Sequence, residues 1–396
     1  MADACQMGYP CRMASASSSP GGSSYRGRFT LAAQVGRVPS MVVPLDREQE
    51  LRFERLMDDL LMIDMHQHVQ VLTEPIDDLM AYFRSRQYAW GYEAARAGGW
   101  STVTTASGLS TVGFTDEMSF VDFEDLATEI ALMLADVAHQ GETVVKIERA
   151  QDILDARQRG TLGFLPTVEH LAMGAHLHHL DKLYGLGVRL AGLTYTRKTY
   201  TGDGQMERND GGLSELGIAA VERMNDLGMI VDLSHASPKT ALEAIEHSKA
   251  PTIFSHNAAK AVWPTARTRD DADFVACAER GGLICVTAVP NSLSNAPDQD
   301  INCVLDHYDY LVKLVGVDHV GIGTDTLIGD HVGFHKLALY PGQASRQFPA
   351  PYLSGLESPA DGKNIIRGLI ARGHEDAAIR KIAGQNALNL LRCVIG

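Results

Sequence analysis

Short apolar runs alternate along the chain with longer amphipathic stretches, and this alternation limits the possible folds more than any other feature. Eight such runs, most of them rich in β-branched side chains, occur at 60–65, 100–105, 143–147, 187–194, 229–234, 252–255, 282–287 and 319–324. Runs of this kind suit strands that are buried on both faces. The stretches around them predict helices at 123–139, 167–184, 213–227, 238–248, 304–315, 362–372 and 375–392.

Eight strand and helix units in one chain predict an α/β fold, a (β/α)8 TIM barrel, in which all strand ends lie on one face. An open doubly wound sheet is the alternative, but no glycine-rich nucleotide-binding motif follows any of the runs. We expect one catalytic barrel domain over residues 41–396, including the C-terminal helices. Residues 1–40 are rich in Ser, Gly and Arg and predict a flexible N-terminal tail, with a transit peptide as the alternative.

The charge balance and the cysteines exclude several classes of protein. With 35 Lys and Arg against 49 Asp and Glu, the chain carries a formal charge of −14, whereas a nucleic-acid binder needs a basic surface. No apolar run approaches the roughly 18 residues that cross a membrane. The six cysteines lie far apart without a CxxC pair. They therefore predict reduced thiols and a cytoplasmic location.

Five of the eight runs are followed by side chains that bind divalent cations. These side chains are His66 and His68, Glu148, His235, His256 and Asp325. Two histidines two positions apart on a strand point the same way and can share one ion. We expect Glu148 to bridge that ion to a second one held by His235 and His256, so that a shared water becomes a hydroxide. Asp325 would bind the first ion and act catalytically by accepting the proton of that water.

The other histidines lack this context. His170, His176, His178 and His179 fall on the predicted helix 167–184, and we expect them to be solvated or packed. His331 and His335 follow the eighth run, and either one could line a pocket.

The chain resembles the renal (membrane) dipeptidase family of zinc peptidases, a branch of the amidohydrolase superfamily, from about residue 63 to 392. The resemblance rests on GVR at 187–189, LT at 193–194, GGLS at 211–214, MNDLGM at 224–229, VDLSH at 231–235, AP at 250–251, FSH at 254–256, LDHYD at 305–309, GIGTD at 321–325 and GQN at 384–386. It implies a barrel with two zinc ions bridged by Glu148, a homodimer, and hydrolysis of dipeptides, including those with a C-terminal D-residue. It also implies that Arg267 holds the substrate carboxylate. By spacing alone, Arg269 is an equal candidate for that role.

Three features depart from the family pattern. The family usually has an aspartate at the position where this chain has His68. Many members have a histidine where this chain has Tyr195. We expect Tyr195 either to bind substrate or to pack at the barrel rim. Aromatic residues and glycines at 87–92 and 98–100 either shape a pocket or cover the barrel.

These patterns together predict a metal-dependent, dipeptidase-like hydrolase that acts on a small molecule with a free carboxylate. The alternatives are the same site acting on another small amide, imide or lactone, and a barrel that binds a small molecule without turning it over.

Overall fold

The computed structural model describes residues 25, 27–111, 122–339 and 347–396. The strands within these ranges are short: β1 (Ile63–Asp64), β2 (Thr102–Thr104), β3 (Val144–Lys146), β4 (Leu162–Leu165), β5 (Thr167–Val168), β6 (Leu190–Gly192), β7 (Ile230–Asp232), β8 (Ile253–Asn257), β9 (Leu283–Val286), β10 (Gln299–Asp300), β11 (Val320–Ile322) and β12 (Leu353–Ser354). All of their pairings are parallel. Ten of the strands form one sheet in the order β3-β4-β2-β1-β11-β9-β8-β7-β6-β5, while β10 and β12 pair separately.

This sheet closes on itself. β4 and β5 are separated by Pro166 alone and act as one strand, with β4 paired to β2 and β5 paired to β6. Beyond β2, Ser107 bridges to Val168, and its amide donates to the Thr167 carbonyl at 2.9 Å. The ring therefore contains eight strands, β1, β2, β4–β5, β6, β7, β8, β9 and β11. This confirms the predicted (β/α)8 barrel.

The third strand of the ring was predicted wrongly. The run 143–147 forms β3, which pairs only with β4 and lies outside the ring. Residues 162–168 supply the ring strand, although part of this segment was predicted as the helix 167–184. Within that predicted range only residues 179–184 are helical, as part of the helix His179–Leu186. Pro166 interrupts the apolar run and removes one backbone donor, which makes the segment look like a loop.

Helices surround the ring. They are α1 (Arg47–Asp59), α2 (Leu79–Ser85), α3 (Tyr92–Ala97), α4 (Phe123–His139), α5 (Ala150–Gln158), α6 (His179–Leu186), α7 (Glu215–Leu227), α8 (Pro238–His247), α9 (Asp271–Glu279), α10 (Asn302–Val315), α11 (His331–Phe334), α12 (Lys363–Ala371), α13 (Asp376–Arg380) and α14 (Asn386–Val394). Local sequence sets several of their ends. Ser214 caps α7 by accepting from the Gly217 amide, and Gly228 ends the helix at φ +71°.

Two buried clusters show how the barrel is packed. Neighbouring strand residues such as Ile253 and Phe254 belong to different clusters, because successive side chains point to opposite faces. One cluster joins the strands to the surrounding helices. The other fills the barrel interior and includes side chains of α5 and α14. These two helices therefore close the amino end of the barrel, and the carboxyl end is left for polar residues.

The described part of the N-terminal segment packs on the barrel, which corrects the predicted extent of the tail. The rings of Tyr25 and Phe29 contact Tyr82 edge-on. The Ala32 amide donates to the Leu72 carbonyl at 2.9 Å. The rest of the predicted tail lies outside the described residues.

Within the described ranges, no helix has the length and apolarity that a membrane crossing requires. Cys277, Cys285, Cys303 and Cys393 form no disulfide.

Candidate metal centre and substrate cavity

Acidic and imidazole side chains converge at the carboxyl end of the ring. His66 and His68 follow β1, Glu169 follows β5 directly, and His235 follows β7. His256 lies within β8, and Asp325 follows β11. The barrel topology brings these six residues together, although they span 260 positions of the sequence.

Among the described residues, the possible ligand atoms form three groups, of which one contains His66, Asp232 and His256 and the other two share one carboxylate. His66, His68 and Glu169 place their ligand atoms within 4.8 Å of one another, and so do Glu169, His235 and His256. The His235 Nε2 atom lies 3.1 Å from Glu169 Oε1 and 3.0 Å from His256 Nε2. A carboxylate between two imidazole pairs is the arrangement that a bridged pair of metal ions uses.

Glu148 does not join this cluster, and the prediction that placed it there is corrected. It follows β3, outside the ring, and its side chain is 40% exposed. It forms ion pairs with Lys146 at 3.1 Å and with Arg189 at 3.4 Å. Arg189 precedes β6, so Glu148 lies at the amino end of the barrel. Glu169 occupies the shared position, and the rule of ligands at strand ends points to it once 162–168 is recognised as a strand.

Burial keeps three of the imidazoles neutral. It lowers the pKa of His66 to about 3, and it holds the pKa values of His235 and His256 well below their ordinary value. A neutral imidazole has one nitrogen lone pair available to a metal. The Nε2 atom of His66 is buried without a hydrogen-bond partner. These donors therefore fit divalent cations.

Asp325 and His68 form a buried pair, with Oδ1 of the carboxylate 3.2 Å from His68 Nε2. Burial opposes charge on both groups, but this hydrogen bond and nearby opposite charges outweigh it, so that the pKa of Asp325 falls and that of His68 rises. Asp325 adopts φ +55°, and its amide donates to the His66 carbonyl at 2.8 Å. This unusual backbone turns the carboxylate towards the histidines.

Two buried aspartates that sequence reasoning missed support the ligand loops. Asp64 accepts hydrogen bonds from the His66 amide at 3.1 Å and from the Thr324 amide at 2.9 Å. Asp232 accepts from the Ser234 and Ser255 amides at 3.1 and 3.0 Å. Each carboxylate therefore joins its own strand to a neighbouring segment directly beneath the ligands. Their sequence signal is an aspartate two or three positions before a ligand histidine.

A cavity of about 300 Å³ opens over the cluster. Arg267 lines it, with Nη1 donating to the Ser234 carbonyl at 2.7 Å and Nη2 lying 3.3 Å from His235 Nε2. Arg269 is buried in an ion pair with Asp273 at 3.3 Å and donates to the Leu233 carbonyl. Of the two arginines, the structure places Arg267 at the cavity and uses Arg269 in packing.

One wall of the cavity is apolar. Leu109, Leu327 and Phe334 line it and belong to one buried cluster with Tyr195. The Tyr195 ring also lines the cavity, with its centroid 4.3 Å from that of His235. The aromatic residues at 88–92 and Trp100 pack in the core and are not among the described cavity residues.

Four further histidines divide between the cavity and the packing. His331 and His335 both line the cavity, with ring centroids 4.6 Å apart, and burial lowers the pKa of His331 to about 4. His170 is buried beside Tyr195, with a centroid distance of 5.1 Å. His179 begins α6 and stacks on Phe123.

Comparisons with known proteins agree with this geometry. The description "Membrane dipeptidase (Peptidase family M19)" belongs to a family model that matches residues 52–341. Dipeptidase tcpJ of Claviceps purpurea is 27% identical over 283 residues, which is 70% of this chain and 62% of the relative. Dipeptidase 3 of Mus musculus is 31% identical over 221 residues, 54% of this chain and 41% of the relative. The matches therefore span about two fifths to three fifths of these relatives.

Solved structures share the fold. An amidohydrolase from Pseudomonas aeruginosa superposes with a TM-score of 0.73 at 25% identity, covering 86% of this chain and 98% of the other. The probable dipeptidase PvdM of the same organism has the same TM-score at 21% identity, covering 88% and 99%. The family match covers well over half of the chain, and the barrel and its carboxyl-end cluster agree with it. The chain thus belongs to the membrane dipeptidase family, peptidase family M19.

Proposed function

We propose that this protein is a metal-dependent hydrolase that cleaves the amide bond of a dipeptide or dipeptide-like small molecule with a free carboxylate. The observation that carries the proposal is the sharing of Glu169 between two groups of buried ligands, below a cavity of dipeptide size that Arg267 lines. Family membership supports the same reaction.

We infer a site for two divalent cations, with zinc as the expected metal because imidazole nitrogens dominate the donor set. His66, His68 and Asp325 would hold one ion, His235 and His256 the other, and Glu169 would bridge them. When bound, the two ions supply Lewis acidity and lower the pKa of a water molecule.

The chain's own side chains have separate roles. Arg267 binds the substrate carboxylate through its planar guanidinium, which matches a carboxylate in shape and charge. Asp325 directs Oδ1 to His66 and His68 and carries Oδ2 on the other side, 4.0 Å from His256 Nε2. Because its pKa is held below the usual range, it is ionised at neutral pH, and Oδ2 can accept a proton and pass it to the leaving amine. Tyr195 can donate a hydrogen bond to a developing oxyanion.

The apolar wall adds an expectation about the substrate. Leu327 and Phe334 line the same cavity as Arg267. The free carboxylate of a dipeptide is on its C-terminal residue, so a dipeptide held by that group at Arg267 would leave its N-terminal residue to contact this apolar wall. We expect a preference for an apolar N-terminal residue.

A cytoplasmic location and a homodimer stay predictions from the sequence.

The test uses zinc-loaded protein and a panel of L-Xaa-L-Xaa and L-Xaa-D-Xaa dipeptides, each also supplied as its C-terminal amide. We expect chelator-sensitive cleavage of the free acids, restored by zinc, and poor cleavage of the amides. Arg267→Ala should raise KM for the free acids and remove the discrimination against the amides. Metal-loaded protein that cleaves none of the dipeptides would refute the proposal and direct attention to other amides, imides or lactones. An Arg267→Ala variant with unchanged discrimination would refute the carboxylate assignment alone.

A further inference from the structure

The hydroxyl of Ser255 contacts one histidine from each of the two ligand groups. Ser255 lies on β8 and is fully buried, at 0% exposure. Its Oγ atom is 2.8 Å from His256 Nδ1 and 3.3 Å from His66 Nδ1. It also bonds to Asp232 Oδ2 and lies 3.1 Å from Ser234 Oγ. A single hydroxyl is thus surrounded by four polar atoms from four residues.

The number of protons at this hydroxyl fixes the direction of each bond. Ser255 Oγ has one proton, and Asp232 is a carboxylate that can only accept, so the proton goes to Asp232. Oδ1 of Asp232 already receives the Ser234 hydroxyl at 2.7 Å together with two backbone amides. The Ser234 proton is therefore used as well. The two lone pairs of Ser255 Oγ are left to accept from His66 and His256.

Both imidazoles must then carry their proton on Nδ1. A neutral imidazole has one N–H, so the Nε2 atom of each ring carries the lone pair. The Nε2 of His66 is buried without a hydrogen-bond partner, and that of His256 faces His235 Nε2 at 3.0 Å. The two rings lie side by side with centroids 3.6 Å apart and an interplanar angle of 32°, and both direct Nδ1 towards Ser255.

We propose that Ser255 is a positioning residue shared by both metal ions: its hydroxyl fixes the tautomer and orientation of His66 and His256 together, so that each presents Nε2 to its ligand group. The inference rests on the proposed function, because it assigns these two histidines to different ions. It makes the two halves of the site interdependent, since one hydroxyl orients a ligand of each. Asp232 accepts the proton of that hydroxyl in a hydrogen bond, so the oxygen lone pairs face the two rings.

The first measurement needs neither metal nor substrate. Metal-free protein labelled with ¹⁵N-histidine should show His66 and His256 as Nδ1–H tautomers in long-range ¹H–¹⁵N spectra, with the signals assigned through His66→Gln and His256→Gln. In Ser255→Ala, both residues should lose this fixed tautomer. The matched control is Ser234→Ala, which removes a hydroxyl that bonds to Asp232 and to the backbone amide of His256 but to neither imidazole ring, and both Nδ1–H signals should persist. An Nε2–H tautomer of either histidine in the unmodified protein overturns the proposal.

The second measurement is zinc affinity, by competition with a chromogenic chelator. Ser255→Ala should weaken binding at both sites, by about 10- to 100-fold, the usual effect of removing a group that hydrogen-bonds to a ligand. Ser234→Ala should change it less than threefold, and Ser255→Thr, which restores a hydroxyl, should recover most of the loss. Weakening at one site only, or equal weakening by both alanine variants, would contradict a shared positioning role. Neither measurement involves substrate, so a failure of the dipeptidase assignment would leave both results interpretable.

Discussion

At the scale of single residues, two glutamates show that residue type and a preceding apolar run are not enough to place a ligand. Glu148 and Glu169 both follow short apolar strands, and both lie near cationic or imidazole groups. Glu148 is paired with Arg189 and partly exposed, whereas Glu169 is buried, and burial raises its pKa to about 7. A buried carboxylate with a raised pKa gains most from nearby cations, which offset the loss of hydration.

This contrast predicts that a glutamate-to-glutamine substitution impairs the protein at position 169 but not at position 148. Glu169→Gln should abolish stable binding of at least one zinc ion and reduce kcat/KM by more than about 100-fold, because a bridging charge is lost. Glu148→Gln should retain full metal content and activity within about twofold. Metal analysis after gel filtration and dipeptide hydrolysis measure both. Loss of metal in the Glu148 variant would restore the original assignment.

At the scale of elements, close contact between β5 and β6 determines where Glu169 lies. A Cβ atom added to Gly192 on β6 would lie 2.0 Å from the Glu169 carbonyl oxygen. That oxygen belongs to the backbone, so a larger residue cannot be accommodated by rotating a side chain. Gly192 therefore allows β5 to approach β6 at the point where the shared ligand leaves the sheet.

Gly192→Ala should accordingly disturb both stability and metal binding. We expect the free energy of unfolding to fall by about 1–3 kcal/mol from overpacking, with weaker zinc binding as Glu169 shifts. Gly185→Ala is the control, because Gly185 lies on α6 and its added Cβ would meet no atom within 4 Å. Urea unfolding and zinc titration test both variants. Normal zinc binding in Gly192→Ala would show that Glu169 does not depend on this contact.

Helix packing behind the barrel offers a pH-dependent contact remote from the ligands. Asp309 on α10 accepts from Arg372 and from His374, each at 2.7 Å. Burial raises the pKa of Asp309, but these two hydrogen bonds outweigh it and hold the pKa below its ordinary value. A depressed pKa contributes stability above the unfolded-state pKa, near 3.9, and this contribution disappears as pH falls through the folded-state pKa.

Asp309→Asn should therefore cost about 0.5–1 kcal/mol at pH 7, the range for a partly exposed ion pair. The difference from the unmodified protein should shrink as pH falls below about 4. Asp306→Asn is the matched control, because Asp306 contacts the same Arg372 at 2.6 Å but is mostly exposed. Urea unfolding at several pH values measures the difference. A cost that stays constant down to pH 3 would exclude an ionic origin.

At the scale of the whole molecule, the N-terminal segment joins distant parts of the barrel. Arg37 donates from Nε and Nη2 to Glu357 Oε1, at 2.8 and 2.6 Å. Both side chains are at most 10% exposed. The Gln34 side chain accepts from the amides of Glu93 and Ala94 at the start of α3. The segment is thus part of the folded domain, although its composition resembles that of a linker.

Arg37→Ala should lower the free energy of unfolding by about 3 kcal/mol, because Glu357 would remain buried without its cation. The double variant Arg37→Met/Glu357→Leu should recover most of that loss, since no buried charge is left unpaired. Glu74→Gln is the control, because Glu74 lies 3.5 Å from Arg37 and is half exposed. Thermal unfolding distinguishes the three variants. An Arg37→Ala variant as stable as the unmodified protein would mean that the segment contributes little.

The hydrophobic pattern of the chain is enough to predict the barrel and most of its carboxyl-end cluster. Strands buried on both faces leave a clear hydrophobic pattern, and His66, His235 and Asp325 lie two or three residues after such strands, on the face where a barrel gathers the carboxyl ends of its strands. Local caps such as Ser214 set helix ends through contacts within a few residues. These features depend on neighbours along the chain, and the sequence displays those neighbours directly.

Contacts between distant segments determine which strand enters the ring and which hydroxyl lies against the ligand histidines. β3 and β4 are both short apolar strands in the same part of the sequence, but only the segment β4–β5 pairs with β2 and β6, whereas β3 pairs with β4 alone. The choice of Arg267 over Arg269 depends on carbonyl groups of distant residues, Ser234 for Arg267 and Leu233 for Arg269, and Ser255 acquires its partners from two other segments. Such contacts form between residues that are remote along the chain. No local sequence pattern predicts these contacts. Their energy depends on how deeply the groups are buried and on which atoms donate and accept hydrogen bonds, and neither can be inferred from the adjacent residues.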